Sequence, residues 1–307
     1  MSEQQECLLL NNGAIKRRRI IMKSYVKLMR PQHWVKNVLI FLPVFFNGSV
    51  FKGNVMGKLF LGFLSFSLCA SLIYVINDIC DVEKDRMHEK KRYRPIASGE
   101  VSIPAAIIFA VMLGGCSELL LYLADEIKSG ANVCLLIYLI LNIAYSSGLK
   151  NKPIVDVMIL ASGFVIRVLF GAQISNVVAS QWLVLTIMMF SLYMGLGKRR
   201  NEWRKSTELG TETRAVLKYY TYELLNRYML LSMILGLTFY AYWCAGITAS
   251  NFMIWTLPLV IAILMKYEMI IESDSYGDPV DVLLSDKYLI ALVLLYVILI
   301  CLFMYVI

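Results

Sequence analysis

Nine apolar stretches, each long enough to cross a layer of hydrocarbon, constrain this chain more than any other feature. They run over roughly 35–51, 59–79, 102–124, 131–149, 154–174, 181–197, 220–247, 251–271 and 288–306. About 20 apolar residues in an α-helix cover the ~30 Å core of a bilayer. No water reaches the backbone there, so each stretch has to satisfy its own N–H and C=O groups, which a helix does within one segment. The pattern predicts an all-α, polytopic membrane protein with nine transmembrane helices. So many spans leave little of the 307 residues for a separate soluble domain. Residues 1–24 read as a basic tail at the inner surface, and 25–307 as one transmembrane domain. Pro43 and Asn47 interrupt the first span, so a kink is expected there.

The charge supports this threading. Hydrophobic residues make up 59% of the chain and charged ones 17%, which excludes a soluble globular class. Of the 30 Lys and Arg, 26 fall in 1–36, 80–101, 148–153, 198–227 and 266–287. The opposite loops carry Lys52, Lys58 and Lys128, and Arg167 lies within a span. Basic residues accumulate on the cytoplasmic side, so the N-terminus is expected inside and the C-terminus outside a bacterial-type inner (plasma) membrane. The net charge of +8 is thus explained by topology, and no nucleic acid partner is needed. Leu8, Leu9 and Leu10 are too short an apolar run for a signal peptide and precede Lys16–Arg19 instead of following them. The seven cysteines are scattered without metal-ligand spacing, which argues against a disulfide framework or a zinc site.

The polar residues that this topology does not explain crowd the inner ends of the spans. Asn77, Asp81 and Asp85 stand at i, i+4 and i+8, so on a helix they stack over successive turns of one face. Three oxygen-bearing side chains in that arrangement suit a hard divalent cation such as Mg²⁺. Tyr74 shares the face, whereas Asp78 is rotated by about 100° and is set aside. Lys90, Lys91, Arg92 and Arg94 follow directly, cations able to hold phosphate oxygens. The plainer reading is a solvated helix end. Lys36 is either a snorkelling lysine or a donor facing into the bundle.

Asp156 opens a span, where an acid complements the helix dipole. Arg167, eleven residues on, returns to within about 20° of the same face. An arginine that deep is costly unless it faces a polar cavity or an acid. Gly163 and Gly171 lie near that face, so neighbouring helices, in one copy or in a homo-oligomer, can approach closely. The basic run Lys198–Lys205 attracts lipid headgroups, holds a lipid phosphate or covers the site as a lid. Asp274, Asp278 and Asp281 have turn chemistry and receive no role. Together, one acidic metal face and the cations Lys36, Lys91, Arg94, Lys150 and Arg167 suit a diphosphate bound with Mg²⁺.

These motifs resemble the UbiA superfamily of intramembrane prenyltransferases. N-D-x-x-D-x-x-x-D at an inner helix end carries the likeness. R-P-Q-H-W-V-K-N, D-V-M-I-L-A-S-G-F-V-I-R and G-D-P-V-D-V-L-L-S-D narrow it to a phosphoribosyl-transferring branch. The resemblance implies a nine-helix bundle forming a single catalytic domain. It implies transfer of 5-phosphoribose from phosphoribosyl pyrophosphate to a polyprenyl, decaprenyl-type phosphate, with pyrophosphate leaving. Asn77, Asp81 and Asp85 would then hold Mg²⁺ and act in catalysis. Lys36, Tyr74, Lys91, Arg94, Lys150 and Arg167 would bind the substrates. Prenyltransferases of the superfamily carry a second aspartate-rich motif, and the region matched here, Tyr145 to Asp156, offers one Asp beside Lys150. His33 and Glu89 depart from the family pattern without touching the metal face. The rival reading within the fold is prenyl transfer from a diphosphate to an aromatic acceptor. A transporter would extend polar residues to both membrane faces, and here they crowd the inner one.

Overall fold

The computed structural model describes residues 22–125, 129–209, 215–246, 252–273 and 279–306. Among them no β-strand occurs. Residues 22–29 form α1, and a 3₁₀ segment over Pro31–Phe41 leads into α2 (Leu42–Phe46). Then come α3 (Val55–Cys80), α4 (Val82–Met87), α5 (Ile103–Asp125) and α6 (Ser129–Ser146). The chain continues through α7 (Val155–Ser175), α8 (Gln181–Leu209), α9 (Tyr222–Gly246), α10 (Leu257–Ser273), α11 (Pro279–Ser285) and α12 (Lys287–Tyr305).

Six described helical stretches are long and apolar enough to cross a membrane: Val55–Cys80, Ile103–Ala124, Val155–Ser175, Tyr222–Gly246, Met253–Ser273 and Lys287–Tyr305. The chain is a multi-pass, all-helical membrane protein. The other three expected spans take different forms. The expected span 35–51 is a 3₁₀ segment and a five-residue helix with Pro43 in its first turn. The α6 helix is 18 residues long. The α8 helix runs 29 residues and carries straight through the basic run 198–205, which its charge suggested was an inner loop. No proline or glycine interrupts α8 between Lys198 and Leu209, and Arg199 pairs with Glu202 one turn on at 2.7 Å.

The chain divides into two compact units, one within Met1–Val38 and Met56–Leu139, the other within Leu39–Val55 and Ile140–Ile307. The first has an apolar core of Leu28, Val75, Val82, Ile96, Val101, Ala106, Ala110 and Leu113, joining α1, α3, α4 and α5. A polar seam of serines completes it. Buried Ser65, Ser67 and Ser71 on α3 meet, respectively, Ser117 of α5 at 3.3 Å, Asn37 Nδ2 at 2.8 Å and Trp34 Nε1 at 3.1 Å. Small hydroxyl residues allow close backbone approach and give neighbouring polar groups a partner where water is absent. The seam fixes the 3₁₀ segment that carries Lys36 against α3. Apolar side chains left outside, such as Ile108 and Val111 of α5, suit contact with lipid.

In the second unit, one cluster joins α8, α9 and α10 through Tyr193, Leu196, Leu225, Met229, Tyr267 and Ile271. Another joins them with α12 through Leu183, Tyr240, Trp243, Val260 and Ile300. Gly171 of α7 lies so close to the 3₁₀ segment that a Cβ there would sit 1.8 Å from the Ile40 carbonyl oxygen. Gly195 of α8 has nothing within 4 Å of the same position. Gly171→Ala is expected to destabilise the protein by about 2 kcal/mol through backbone overpacking. Gly195→Ala should be neutral or stabilise by up to ~1 kcal/mol through helix propensity. Thermal unfolding in detergent checks the pair; equal midpoints for the two variants contradict the packing described.

Candidate active site

In the first unit the site grows from the C-terminal end of α3. The helix loosens at Asp81 (φ −97°, ψ 8°), yet the i to i−4 bonds persist. Asp81 N–H donates to the Asn77 carbonyl at 2.9 Å and Asp85 N–H to that of Asp81 at 2.8 Å. Asn77 and Asp81, both half-buried, therefore keep their one-turn spacing across the join. Asp85 is buried and accepts from Arg94 Nη1 at 2.7 Å.

Asp78, which spacing set aside, belongs to this cluster. It is buried and accepts from Arg30 Nη2 at 2.5 Å and from the same Arg94 Nη1 at 2.9 Å. The signal that sequence reasoning missed is that both arginines precede a proline. The residue before proline is pushed out of the α region. Arg94 is extended (φ −69°, ψ 144°), and Arg30 takes a positive φ of 52°. Each leaves its helix at that point, and its side chain reaches the end of α3. Arg30 also lies 4.9 Å from the centre of the Tyr74 ring, which packs against His33 at 5.4 Å. Tyr74 thus stands beside Arg30, a partner of Asp78, the acid that the spacing had placed on another face. Lys91 is exposed in the Lys91–Tyr93 turn, where its N–H and that of Lys90 face His88 Nδ1 at 3.5 and 3.2 Å. Lys36 is half-buried.

No three Asp, Glu, His or Cys side chains converge as an all-protein metal cage among the described residues. Magnesium is commonly held by one or two carboxylates, with phosphate and water completing its shell. Asn77 and Asp81 one turn apart, with Asp85 beyond, fit that mode.

In the second unit, Lys150 sits half-buried in a 3₁₀ turn (Leu149–Asn151) between α6 and α7. Asp156, in the first turn of α7, is fully buried and accepts from Arg199 Nε of α8 at 2.6 Å. Arg199 is fully buried too, and its remaining nitrogens reach Glu202 Oε2 at 2.7 Å and Tyr145 Oη at 3.2 Å. Burial works against the Arg199 charge, but Glu202, Tyr145 and Asp156 outweigh it and hold its pKa above the ordinary value. Asp156 therefore does more than complement a helix dipole: it is one half of an ion pair. The sequence pattern placed it on a face with Arg167, yet eleven residues of α-helix separate the two by about 16 Å of rise. Arg167 is buried and donates from Nη1 to the Gly163 carbonyl at 2.6 Å. Arg200, expected to greet lipid headgroups, is buried and pairs with Glu268 at 2.7 Å and Glu272 at 3.1 Å. Asp274 and Asp278 lie outside the described residues, and Asp281 is exposed on α11.

Residues 40–280 match the model of the UbiA prenyltransferase family. The chain is 33% identical over 284 residues to the decaprenyl-phosphate phosphoribosyltransferase of Mycobacterium tuberculosis, covering 90% of this chain and 93% of that one. The protein of the same name from Corynebacterium glutamicum is 33% identical over 89% of this chain and 84% of its own. Among solved structures, a UbiA homologue from Archaeoglobus fulgidus bound to DMAPP and Mg²⁺ superposes with a TM-score of 0.69 at 19% identity, over 91% of this chain and 96% of that chain.

Because Asp78 neutralises two arginines, Asp78→Ala should cost about 3 kcal/mol of stability. That is the lower end for breaking a buried pair, since Arg30 and Arg94 keep 21% and 28% of their side chains exposed. Equilibrium unfolding measures it, and a loss below ~1 kcal/mol would mean water compensates the arginines.

Proposed function

The chain belongs to the UbiA prenyltransferase family, and on that premise we propose that it moves 5-phosphoribose from phosphoribosyl pyrophosphate to a polyprenyl phosphate. The reaction takes place at the cytoplasmic face, with the N-terminus inside and the C-terminus outside, as the distribution of basic residues supports. The substrate class follows the name shared by the mycobacterial and corynebacterial relatives.

The observation that favours this donor over a prenyl diphosphate is the balance of charge. Asp78 and Asp85 are tied to Arg30 and Arg94, and Asp156 to Arg199. Three acids at the inner helix ends are thus matched by arginines. Acids matched by arginines within each unit suit a donor with much phosphate charge per metal ion, and phosphoribosyl pyrophosphate carries an additional 5-phosphate.

A phosphate oxygen of the lipid attacks C1 of the ribose as the bond from C1 to the pyrophosphate oxygen breaks. The electron pair of that bond leaves with pyrophosphate, and positive charge develops on the ring. Magnesium, where bound by Asn77, Asp81 and Asp85, supplies neutralisation of the leaving group. Lys36, Lys91, Arg94, Lys150 and Arg167 bind and orient phosphate charge, and Tyr74 hydrogen-bonds the donor. The acceptor is already an anion, so no residue has to remove a proton from it. Preorganised charge at the leaving group supplies most of the rate enhancement.

Purified protein given labelled phosphoribosyl pyrophosphate, a polyprenyl phosphate and Mg²⁺ is expected to form a lipid-linked ribose phosphate with release of pyrophosphate. Turnover of a prenyl diphosphate instead refutes the assignment. Chelation of the divalent cation should abolish product formation, and its re-addition should restore it. Asp81→Asn should lower kcat by about 100-fold; a folded Asp81→Asn protein with full Mg²⁺-dependent activity contradicts the metal assignment.

A further inference from the structure

We propose that Arg199 is a positioning residue that holds the turn carrying Lys150. For its effect on turnover this rests on the phosphoribosyl-transfer reading; the clamp itself does not. The turn leaves α6 after Ser146 and enters α7 at Val155. One guanidinium grips both ends: Nη2 donates to the Tyr145 hydroxyl at 3.2 Å, and Nε donates to Asp156 at 2.6 Å. Tyr220 adds a third tie. Its hydroxyl accepts the Ile154 N–H at 2.6 Å and donates to Asp156 Oδ1 at 3.4 Å.

Ile154 shows that the turn is held and does not simply relax into place. It has a φ of +69°, which a β-branched residue adopts only where its surroundings over-determine it. Arg199 is in turn fixed to its own helix by Glu202 at 2.7 Å. A buried ion pair adds little stability over well-packed apolar side chains. What this one contributes is a defined path for residues 146–154, and with it the place of the Lys150 ammonium. Arg199 has no exposed surface, so its action on a substrate runs through the turn.

The test compares wild type with Arg199→Gln and with Tyr220→Phe, which removes only a hydroxyl and carries the test if the first variant does not fold. Reactivity of half-buried Lys150 toward a water-soluble amine reagent, read by peptide mass spectrometry against exposed Lys58, should rise several-fold in both variants. Unchanged labelling overturns the clamp. This arm needs no turnover, so it decides the proposal even if wild type does not use phosphoribosyl pyrophosphate. With turnover, KM for that donor should rise about 10- to 100-fold while KM for polyprenyl phosphate stays put. Adding Lys150→Ala to Arg199→Gln should cause little further loss, because both act through one contact. Parallel rises in both KM values, or additive losses, overturn the positioning role.

Discussion

A polar atom placed in hydrocarbon must find its partner within the protein, because no water is there to take its hydrogen bond. Much of the internal order of this chain follows. Ser65, Ser67 and Ser71 line α3 where Ser117, Asn37 and Trp34 can meet them. Arg167 turns to the carbonyl of Gly163, four residues back on its own helix. At the helix ends that carry Asp78 and Asp156 the same demand falls on full charges, and the response is an arginine gripping one or two carboxylates.

Both units use that device, each for a different element. In the first, Asp78 gathers Arg30 from the end of α1 and Arg94 from beyond α4, so two chain segments are tied to the end of α3. In the second, Arg199 ties α8 to the start of α7. Breaking such a pair costs far more than the pair itself contributes, since the orphaned charge stays behind. Its contribution is geometric: it fixes which chain segments meet at each helix end. Arg200 repeats the theme between α8 and α10 through Glu268 and Glu272.

Six of the nine expected spans were legible because length and hydropathy both reflect one large cost, that of exposing backbone to lipid. The 3₁₀ character of Pro31–Phe41 was less so, since it depends on contacts with α3 that no local pattern encodes. Asp81 and Asn77 were read from spacing, and the join of α3 and α4 keeps that spacing. Asp78 was misplaced because helical-wheel reasoning considers one helix, whereas its partners arrive from pre-proline turns elsewhere. Arg199 and Arg200 misled for a related reason: a dense basic run is usually solvated, and only tertiary packing shows which of its members turn inward.

The contact between Arg94 and Asp85 has a thermodynamic consequence. With a guanidinium nitrogen 2.7 Å from that carboxylate, a divalent cation bound as proposed above would compete for an occupied ligand. A phosphate that draws Arg94 away removes the competitor, so phosphate raises the affinity for the cation. Linkage then requires the cation to raise the affinity for phosphate by the same factor. On that assignment the carboxylate would discriminate by coincidence, responding weakly to either ion alone and strongly to both together.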